Sequence, residues 1–254
     1  MKELEDLLQT AIRAAVKAGE EILNVYGTDF EVEKKADKSP LTLADKNSHD
    51  VIMHELTSTG IPVLSEEGKD IPYSERRNWK RLWIVDPLDG TKEFVKRNGE
   101  FTVNIALVEE RQPVLGVIFV PVTGALYYGA RGKGAFRRLK DRKDERLPLK
   151  RVNTGYTVVV SRSHMSPETK AYVDELGRRH KEIDFVASGS SLKICLVAEG
   201  SADCYPRFGP TMEWDTAAGQ AIAEQAGKSL IDCATDKPME YNRSILRNGW
   251  FIVK

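Results

Sequence analysis

Four strand-like apolar runs follow one another between residues 82 and 128, and they constrain the fold more than any other feature. These runs lie at residues 82–85, 101–108, 114–120 and 125–128. The last two flank Pro-Val-Thr-Gly at 121–124, which is typical of a hairpin turn. Because helical patterns lie on both sides of these hairpins, the sequence predicts a layered α+β fold and not a doubly wound parallel sheet.

The remaining elements follow from the spacing of apolar residues. The chain opens with helical spacing from residue 4 to residue 23. Further helices are predicted at 45–57, 167–179, 191–199 and 216–226, and further strands at 61–64, 157–160, 183–186 and 250–253. Residues 137–151 mix acids and bases with few apolar side chains, so they are interpreted as a solvated loop. This loop predicts a division into two subdomains, residues 1–150 and 151–254.

The charge balance and the cysteines exclude several classes of protein. The chain has 38 basic and 38 acidic residues, so no net charge draws it to nucleic acid or to an anionic membrane. Its three cysteines contain no C-x-x-C pair and are typical of reduced thiols. The first residues are acidic where a signal peptide is basic, and no apolar run is long enough to span a bilayer. We expect a soluble cytoplasmic protein with no nucleic-acid partner and no integral membrane segment.

The run at 82–85 leads directly into Asp-Pro-Leu-Asp-Gly-Thr at 86–91. The residue types in Asp-Pro-x-Asp-Gly are common in turns, so a purely structural turn is one interpretation of this segment, and it stays open. The alternative is a metal site, because carboxylates at the end of a buried strand repel each other unless a cation lies between them. Carboxylates of this kind suit Mg²⁺, which also binds phosphate oxygens and water. Gly90 and Thr91 follow at a possible helix start, where free N–H groups favour phosphate, and the Thr91 hydroxyl could orient an attacking water.

Two more acidic positions are candidates for the same site. Glu66 follows the predicted strand at 61–64, where a solvated surface acid is the alternative. Asp215 precedes the predicted helix at 216–226, where helix capping is the alternative. Neither position decides between these interpretations by itself.

Three motifs, taken in order, resemble those of the inositol monophosphatase superfamily. They are Ser-Glu-Glu at 65–67, Asp-Pro-Leu-Asp-Gly-Thr at 86–91 and Trp-Asp-Thr-Ala-Ala-Gly at 214–219. Within the superfamily, the segments 89–94, 189–193 and 205–210 resemble the 3′(2′),5′-bisphosphate nucleotidase branch. The resemblance covers nearly the whole chain and implies a layered αβαβα sugar-phosphatase fold.

The resemblance also implies a reaction and a metal site. The reaction is Mg²⁺-dependent hydrolysis of the 3′ (or 2′) phosphate of adenosine 3′(2′),5′-bisphosphate to AMP by metal-activated water, which clears a by-product of sulfate assimilation. Two or three Mg²⁺ ions are implied. Their implied ligands are Glu66, Asp86, the Leu88 carbonyl oxygen, Asp89 and Asp215. An inositol or sugar monophosphatase is the alternative function, and both the oligomeric state and peripheral contact with the inner face of the cell membrane stay open.

Residue roles in catalysis and substrate binding are implied in the same way. Asp45 matches the acid that works with Thr91 to activate water. Substrate contacts are expected from residues near the metals and from residues at the second phosphate; they are Asp89, Gly90, Thr91, His164, Ser190, Lys193, Arg207 and Asp215. Arg207 stands, on a predicted loop, where inositol monophosphatases usually carry a glutamate, and a base suits a second phosphate better than a polyol.

Overall fold

The computed structural model describes residues 2–28, 32–34, 40–150, 155–161 and 166–254, with the backbone alone for 32–34, 40–42 and 161. The helices in these ranges are α1 (Lys2–Tyr26), α2 (Leu43–Thr57), α3 (Tyr73–Arg76), α4 (Thr91–Val95), α5 (Pro167–Arg179), α6 (Leu192–Ala198) and α7 (Glu213–Gln225). The strands are β1 (Val32–Lys34), β2 (Pro40–Thr42), β3 (Val63–Ser65), β4 (Arg81–Asp89), β5 (Thr102–Glu109), β6 (Gln112–Val120), β7 (Ala125–Ala130), β8 (Gly134–Arg138), β9 (Glu145–Arg146), β10 (Tyr156–Ser161), β11 (Ile183–Ser188), β12 (Tyr205–Arg207), β13 (Thr211–Met212), β14 (Leu230–Asp232), β15 (Lys237–Pro238), β16 (Arg247–Asn248) and β17 (Phe251–Val253).

The main sheet has seven strands in the order β3-β4-β5-β6-β7-β8-β9. β3 and β4 are parallel, and every other neighbouring pair is antiparallel. The predicted turn at 121–124 is confirmed, because it joins the antiparallel strands β6 and β7. The predicted preference for hairpins over a parallel sheet is therefore confirmed.

The main sheet is buried on both faces. Successive side chains of a strand point to opposite faces, and β4 shows the result in two separate hydrophobic clusters. Leu82 and Ile84 belong to the cluster that contains α6 and α7. Trp83 and Val85 belong to the cluster that contains α1 and α2. The apolar run that precedes Asp86 is thus packed against helices on both faces of the sheet.

A smaller sheet and one more helix complete the layers. The smaller sheet has the order β12-β17-β14-β15. The parallel pair β10–β11 joins it through a bridge between Val158 and Cys204. α5 packs Val173 and Leu176 against Val158. The layers therefore run α1 and α2, main sheet, α6 and α7, smaller sheet, α5, which is the expected αβαβα arrangement.

Helix α7 lies directly on β6 at Gly116. A Cβ atom built on Gly116 would be 2.2 Å from the Ala218 carbonyl oxygen and 2.9 Å from the Ala221 Cβ atom. Those distances are far inside van der Waals contact, so any side chain at position 116 would push α7 and β6 apart. Glycine here lets the middle of α7, at Ala218 and Ala221, approach the main sheet closely.

The prediction of a solvated loop at residues 137–151 is wrong in part. β8 continues to Arg138, and β9 pairs with it as the edge strand of the main sheet. The hairpin is polar because its side chains form ion pairs: Arg137 binds Glu145 at 2.8 Å and Glu199 at 2.9 Å. A strand whose side chains form ion pairs lacks the alternation of apolar residues by which strands are predicted, so this one was missed.

The proposed subdomain boundary at residue 150 stays a prediction. Side chains from both segments share one cluster, since Leu82 and Ile84 pack with Ala217 and Ile222 of α7. None of the described helices has the length and apolar character needed to cross a bilayer.

Candidate active site

A β-bulge at the end of β4 brings Asp86 and Asp89 together. Residues three apart in a regular strand point to opposite faces of the sheet. In β4, however, Asp86 pairs with Asn104 and Asp89 with Thr102, so β4 has one extra residue at this point. The bulge reverses the alternation, and carboxylate oxygens of Asp86, Asp89 and Asp215 all lie within 4.8 Å of one another.

The neighbouring strand places Glu66 beside this pair. β3 runs parallel to β4, with Ser65 opposite Val85. Glu66 is the next residue, and its backbone N–H donates to the Val85 carbonyl oxygen at 3.1 Å. Because parallel strands end at the same edge of a sheet, Glu66 and Asp86 leave that edge together.

The first turn of α7 supplies the last acid. Asp215 was predicted to precede this helix, but it is the third helical residue, and its Oδ2 atom accepts from the Met212 backbone N–H at 2.7 Å. The capping interaction and the acidic site therefore coexist, because one carboxylate oxygen caps the helix while the side chain lies in the cluster.

The mutual repulsion of the carboxylates in the acidic cluster favours binding of a cation. Burial raises the pKa of Asp86 well above its usual value, and the charges of Glu66, Asp89, Asp215 and Asp45 raise it further. Burial and then the charge of Asp89 raise the pKa of Asp215. Buried carboxylates stay ionised together only when positive charge lies between them. The donor set of carboxylate oxygens and a main-chain carbonyl is one that fits a hard divalent cation such as Mg²⁺.

One cavity of about 520 Å³ brings the predicted metal ligands together. Its lining includes five residues predicted as ligands, together with Thr91; the five are Glu66, Asp86, Leu88, Asp89 and Asp215. Thr91 is the first residue of α4, the helix predicted after Gly90, and Gly90 caps it with φ of 95°. This position requires a left-handed backbone conformation, which glycine adopts without strain.

Asp45 is not among the residues that line this cavity. It stands in the first turn of α2 and is buried. Its charge contributes to the raised pKa of Asp86, which places it within electrostatic reach of the cluster. Its predicted role with Thr91 stays a prediction.

A second cavity, of about 390 Å³, adjoins the first. Six residues line both cavities: Asp89, Gly90, Lys92, Glu93, Thr211 and Asp215. The second cavity adds Ser190, Lys193 and Arg207, which were predicted to bind substrate. Its lining also includes Glu93 and Lys92, so acids and bases are present in equal number. We call the first cavity the acidic chamber and the second, for Lys193 and Arg207, the basic chamber; the two meet at Asp89.

Comparisons with known proteins agree with this geometry. The sequence model of the inositol monophosphatase family matches residues 3–251. The chain belongs to the inositol monophosphatase family. It is 49% identical over 256 residues to the 3′(2′),5′-bisphosphate nucleotidase CysQ of Shigella flexneri, covering 96% of this chain and 98% of that protein. It is 48% identical to the protein of the same name from Escherichia coli K12, with the same coverage.

Solved structures of the inositol monophosphatase family confirm the fold. The crystal structure of CysQ from Bacteroides thetaiotaomicron is 49% identical and superposes with a TM-score of 0.90, over 98% of this chain and 97% of that one. An inositol monophosphatase from Thermotoga maritima is 25% identical, with a TM-score of 0.76 over 98% of this chain and 92% of that one. The expected αβαβα sugar-phosphatase fold and the resemblance to the bisphosphate nucleotidase branch are both confirmed.

In this inositol monophosphatase family member, Lys193 of the second cavity is buried: only 8% of it is accessible, and its Nζ atom donates to the Ser190 carbonyl oxygen at 2.8 Å. Burial lowers the pKa of Lys193. Arg207 lies on β12 and not on a loop, and its Nη2 atom donates to the Pro210 carbonyl oxygen at 3.1 Å. His164 lies outside the described residues.

Sequence reasoning missed the residues that hold Asp89. Ser191 and Asn104 both donate hydrogen bonds to its carboxylate. Asn104 did carry a signal, because it is a polar residue inside the apolar run at 101–108, and buried polar groups are normally hydrogen-bonded. Nothing in the spacing of the chain identified its partner.

Proposed function

We propose that the protein removes the 3′ (or 2′) phosphate from adenosine 3′(2′),5′-bisphosphate and releases AMP and phosphate. The observation that carries this proposal is the meeting of an acidic and a basic chamber at Asp89. A monophosphate would need only the acidic chamber, whereas a bisphosphate has a second dianionic group for the basic one. The names of relatives 48–49% identical to this chain support the same substrate.

The acidic chamber would hold the scissile phosphate through divalent metal ions. We propose two or three Mg²⁺ ions, held by Glu66, Asp86, the Leu88 carbonyl oxygen, Asp89 and Asp215. Bound ions of this kind neutralise phosphate charge, acidify water and stabilise the leaving oxygen. The raised pKa values of Asp86 and Asp215 support this assignment. Beyond burial, they reflect repulsion between neighbouring carboxylates, which bound cations would offset.

Protein groups would then position the nucleophile and the leaving group. We propose that Asp45 and the Thr91 hydroxyl orient a water toward the phosphorus atom and accept its proton. The water attacks in line, the P–O bond to the ribose oxygen breaks, and that oxygen takes a proton from a solvent water as AMP leaves. No covalent bond to the protein is needed in this sequence.

The basic chamber would hold the second phosphate. Lys193 donates to two carbonyl oxygens, those of Ser188 and Ser190. An ammonium group has three donors, so one remains for a phosphate oxygen. Arg207 lines the same cavity and would add a second positive charge next to that phosphate.

The resemblance connects this reaction with sulfate assimilation. We propose that the protein clears the nucleotide by-product of that route in the cytoplasm.

A substrate panel tests the proposed function. We expect the purified protein with Mg²⁺ to release phosphate from adenosine 3′,5′-bisphosphate with kcat/KM at least about 10²-fold above that for inositol 1-phosphate, because only the bisphosphate occupies both chambers. EDTA should abolish the activity, and excess Mg²⁺ should restore it. Faster turnover of inositol 1-phosphate would favour the sugar monophosphatase alternative, and full activity after exhaustive chelation would exclude the metal mechanism.

Variants of the basic chamber test the substrate class. We expect Lys193→Ala to lower kcat/KM for adenosine 3′,5′-bisphosphate far more than for adenosine 3′-monophosphate. Removing one partner of a desolvated charge pair costs roughly 2–5 kcal/mol, which is on the order of 30- to several-thousand-fold. Arg207→Ala should cost less, nearer tenfold, because Arg207 is partly exposed and solvent screens it.

The matched control for these variants is Lys170→Ala. Lys170 is an exposed lysine of α5 that pairs with Asp174, and its removal should change neither substrate. Equal losses on the bisphosphate and the monophosphate would show that Lys193 and Arg207 support the fold or the metal site instead.

A further inference from the structure

Hydrogen bonds from one side fix the carboxylate of Asp89. The Ser191 backbone N–H and the Ser191 hydroxyl both donate to Asp89 Oδ2 at 2.7 Å. Asn104 Nδ2 lies 3.4 Å from the same oxygen and donates to Ser191 Oγ at 2.9 Å. All the hydrogen bonds that described residues make to this carboxylate end on Oδ2, and Oδ1 accepts none of them.

The donors are themselves held in place. Thr102 Oγ1 donates to Asn104 Oδ1 at 3.0 Å, so the amide turns its NH₂ group toward Ser191 and Asp89. Thr102, Asn104 and Ser191 are each at most 3% exposed. Because buried, mutually hydrogen-bonded groups have little freedom to rotate, this network restricts the orientation of Oδ2.

We propose that Ser191 and Asn104 are positioning residues that leave Asp89 only its Oδ1 atom for metal and thereby favour Mg²⁺ over Ca²⁺. This inference rests on the proposed function, because it assigns Asp89 to a metal site. Mg²⁺ requires near-octahedral geometry at about 2.0–2.1 Å, whereas Ca²⁺ accepts six to eight oxygens and bidentate carboxylates. A carboxylate whose second oxygen is occupied by hydrogen bonds suits the smaller ion.

The Ser191 hydroxyl also ties Asp89 to the other side of the site. Its oxygen lies 2.8 Å from the Asp215 carbonyl oxygen, which is a second acceptor for its single proton. The backbone N–H of Ser191 continues to hold Oδ2 whichever acceptor the hydroxyl selects. One serine thus contacts the segment that carries Asp89 and the segment that carries Asp215.

Metal titration of the substrate-free protein tests this inference. We expect Ser191→Ala to lower Mg²⁺ affinity by roughly 10- to 100-fold, the usual effect of losing a hydrogen-bonding partner of a metal ligand. Ca²⁺ affinity should change much less, because Oδ2 loses the hydroxyl donor, keeps the backbone N–H, and can share its remaining lone pair with the larger ion. The measurement is calorimetric titration with each ion in turn, and the decisive quantity is the ratio of the two dissociation constants.

Two further variants complete the design. Thr102→Val keeps the side-chain shape but removes the hydroxyl that orients Asn104, so it should shift the same ratio in the same direction by a smaller factor, and it serves if Ser191→Ala does not fold. Ser201→Ala removes a serine hydroxyl that donates to the Glu199 carboxylate beyond the far end of α6, and it should leave both affinities unchanged.

The outcomes separate this inference from the proposed function. Equal losses for both ions, or no loss, in the folded variants would overturn the positioning role while the metal site stands. Failure of the wild-type protein to bind Mg²⁺ would overturn both. A shifted ratio supports the inference even if the substrate panel identifies a different phosphate ester.

Discussion

Asp89→Asn should lower kcat/KM for adenosine 3′,5′-bisphosphate by roughly 10³-fold or more, beyond the 10- to 100-fold that outer partners of a metal site typically cost. The hydrogen bonds of Ser191 decide how the asparagine sits. Its two donors require an acceptor, so the amide oxygen takes the place of Oδ2. The amide NH₂ then occupies the position of Oδ1, where it cannot bind a metal ion.

The same substitution should leave the fold intact. In the metal-free protein, the charge of Asp89 raises the pKa of both Asp86 and Asp215, which means that it opposes their ionisation. Removing that charge relieves a repulsion, so the Tm of the metal-free variant should equal or exceed that of the wild type. Activity assays at saturating Mg²⁺ and thermal unfolding followed by circular dichroism are the measurements.

Asp174→Asn is the control for Asp89→Asn. Asp174 is an exposed residue of α5 paired with Lys170, and the variant should keep wild-type activity. A folded Asp89→Asn protein with near-normal kcat would show that the segment at 86–91 is a turn and nothing more.

Asp45→Asn and Thr91→Ala should each lower kcat by about 10²- to 10⁴-fold, the usual contribution of general acid–base catalysis. KM should change little, because groups that orient an attacking water act mainly in the transition state. Asp45 is buried beside the acidic cluster, and Thr91 lines the acidic chamber. Steady-state kinetics with kcat and KM determined separately is the measurement.

Two comparisons sharpen this test. Thr91→Ser keeps the hydroxyl and should retain most of the activity. If Asp45 and Thr91 act on one water as a unit, the double variant should be little slower than the slower single variant, since effects within a unit are not additive. Variants that raise KM and leave kcat unchanged would show that these residues bind substrate instead.

The fold could be predicted wherever apolar spacing reflects burial. Helix α5 begins and ends where its pattern predicts, and β5 and β6 match their apolar runs to within two residues. The strands that were missed have few apolar residues or are very short. β9 has two residues, and β13 pairs with β16 over only two positions, so neither repeats long enough to show a period.

The candidate site shows a similar division. Motif order identified the acids of three separate segments, and the structure brings Asp86, Asp89 and Asp215 together. The bulge that aligns Asp86 with Asp89 could not be predicted, because it depends on the pairing of β4 with β5 and leaves no mark in composition. The hydrogen bonds of Ser191 and Asn104 depend on the approach of α6 to β5, which is equally invisible in the chain.

The missing side chain at Gly116 has a consequence for how substitutions in this protein are to be judged. Gly116 is not among the residues that line either chamber, yet it lets the helix bearing Asp215 pack closely on β6, in the same sheet as the strand bearing Asp86. Even an alanine at 116 would push that helix away from β6, and we expect Asp215 to shift relative to Asp86 as a result. The distance of a residue from the active site is therefore a poor predictor of how much its substitution lowers activity. A single methyl group added in the middle of the sheet is expected to reduce activity much as a change of an active-site residue does.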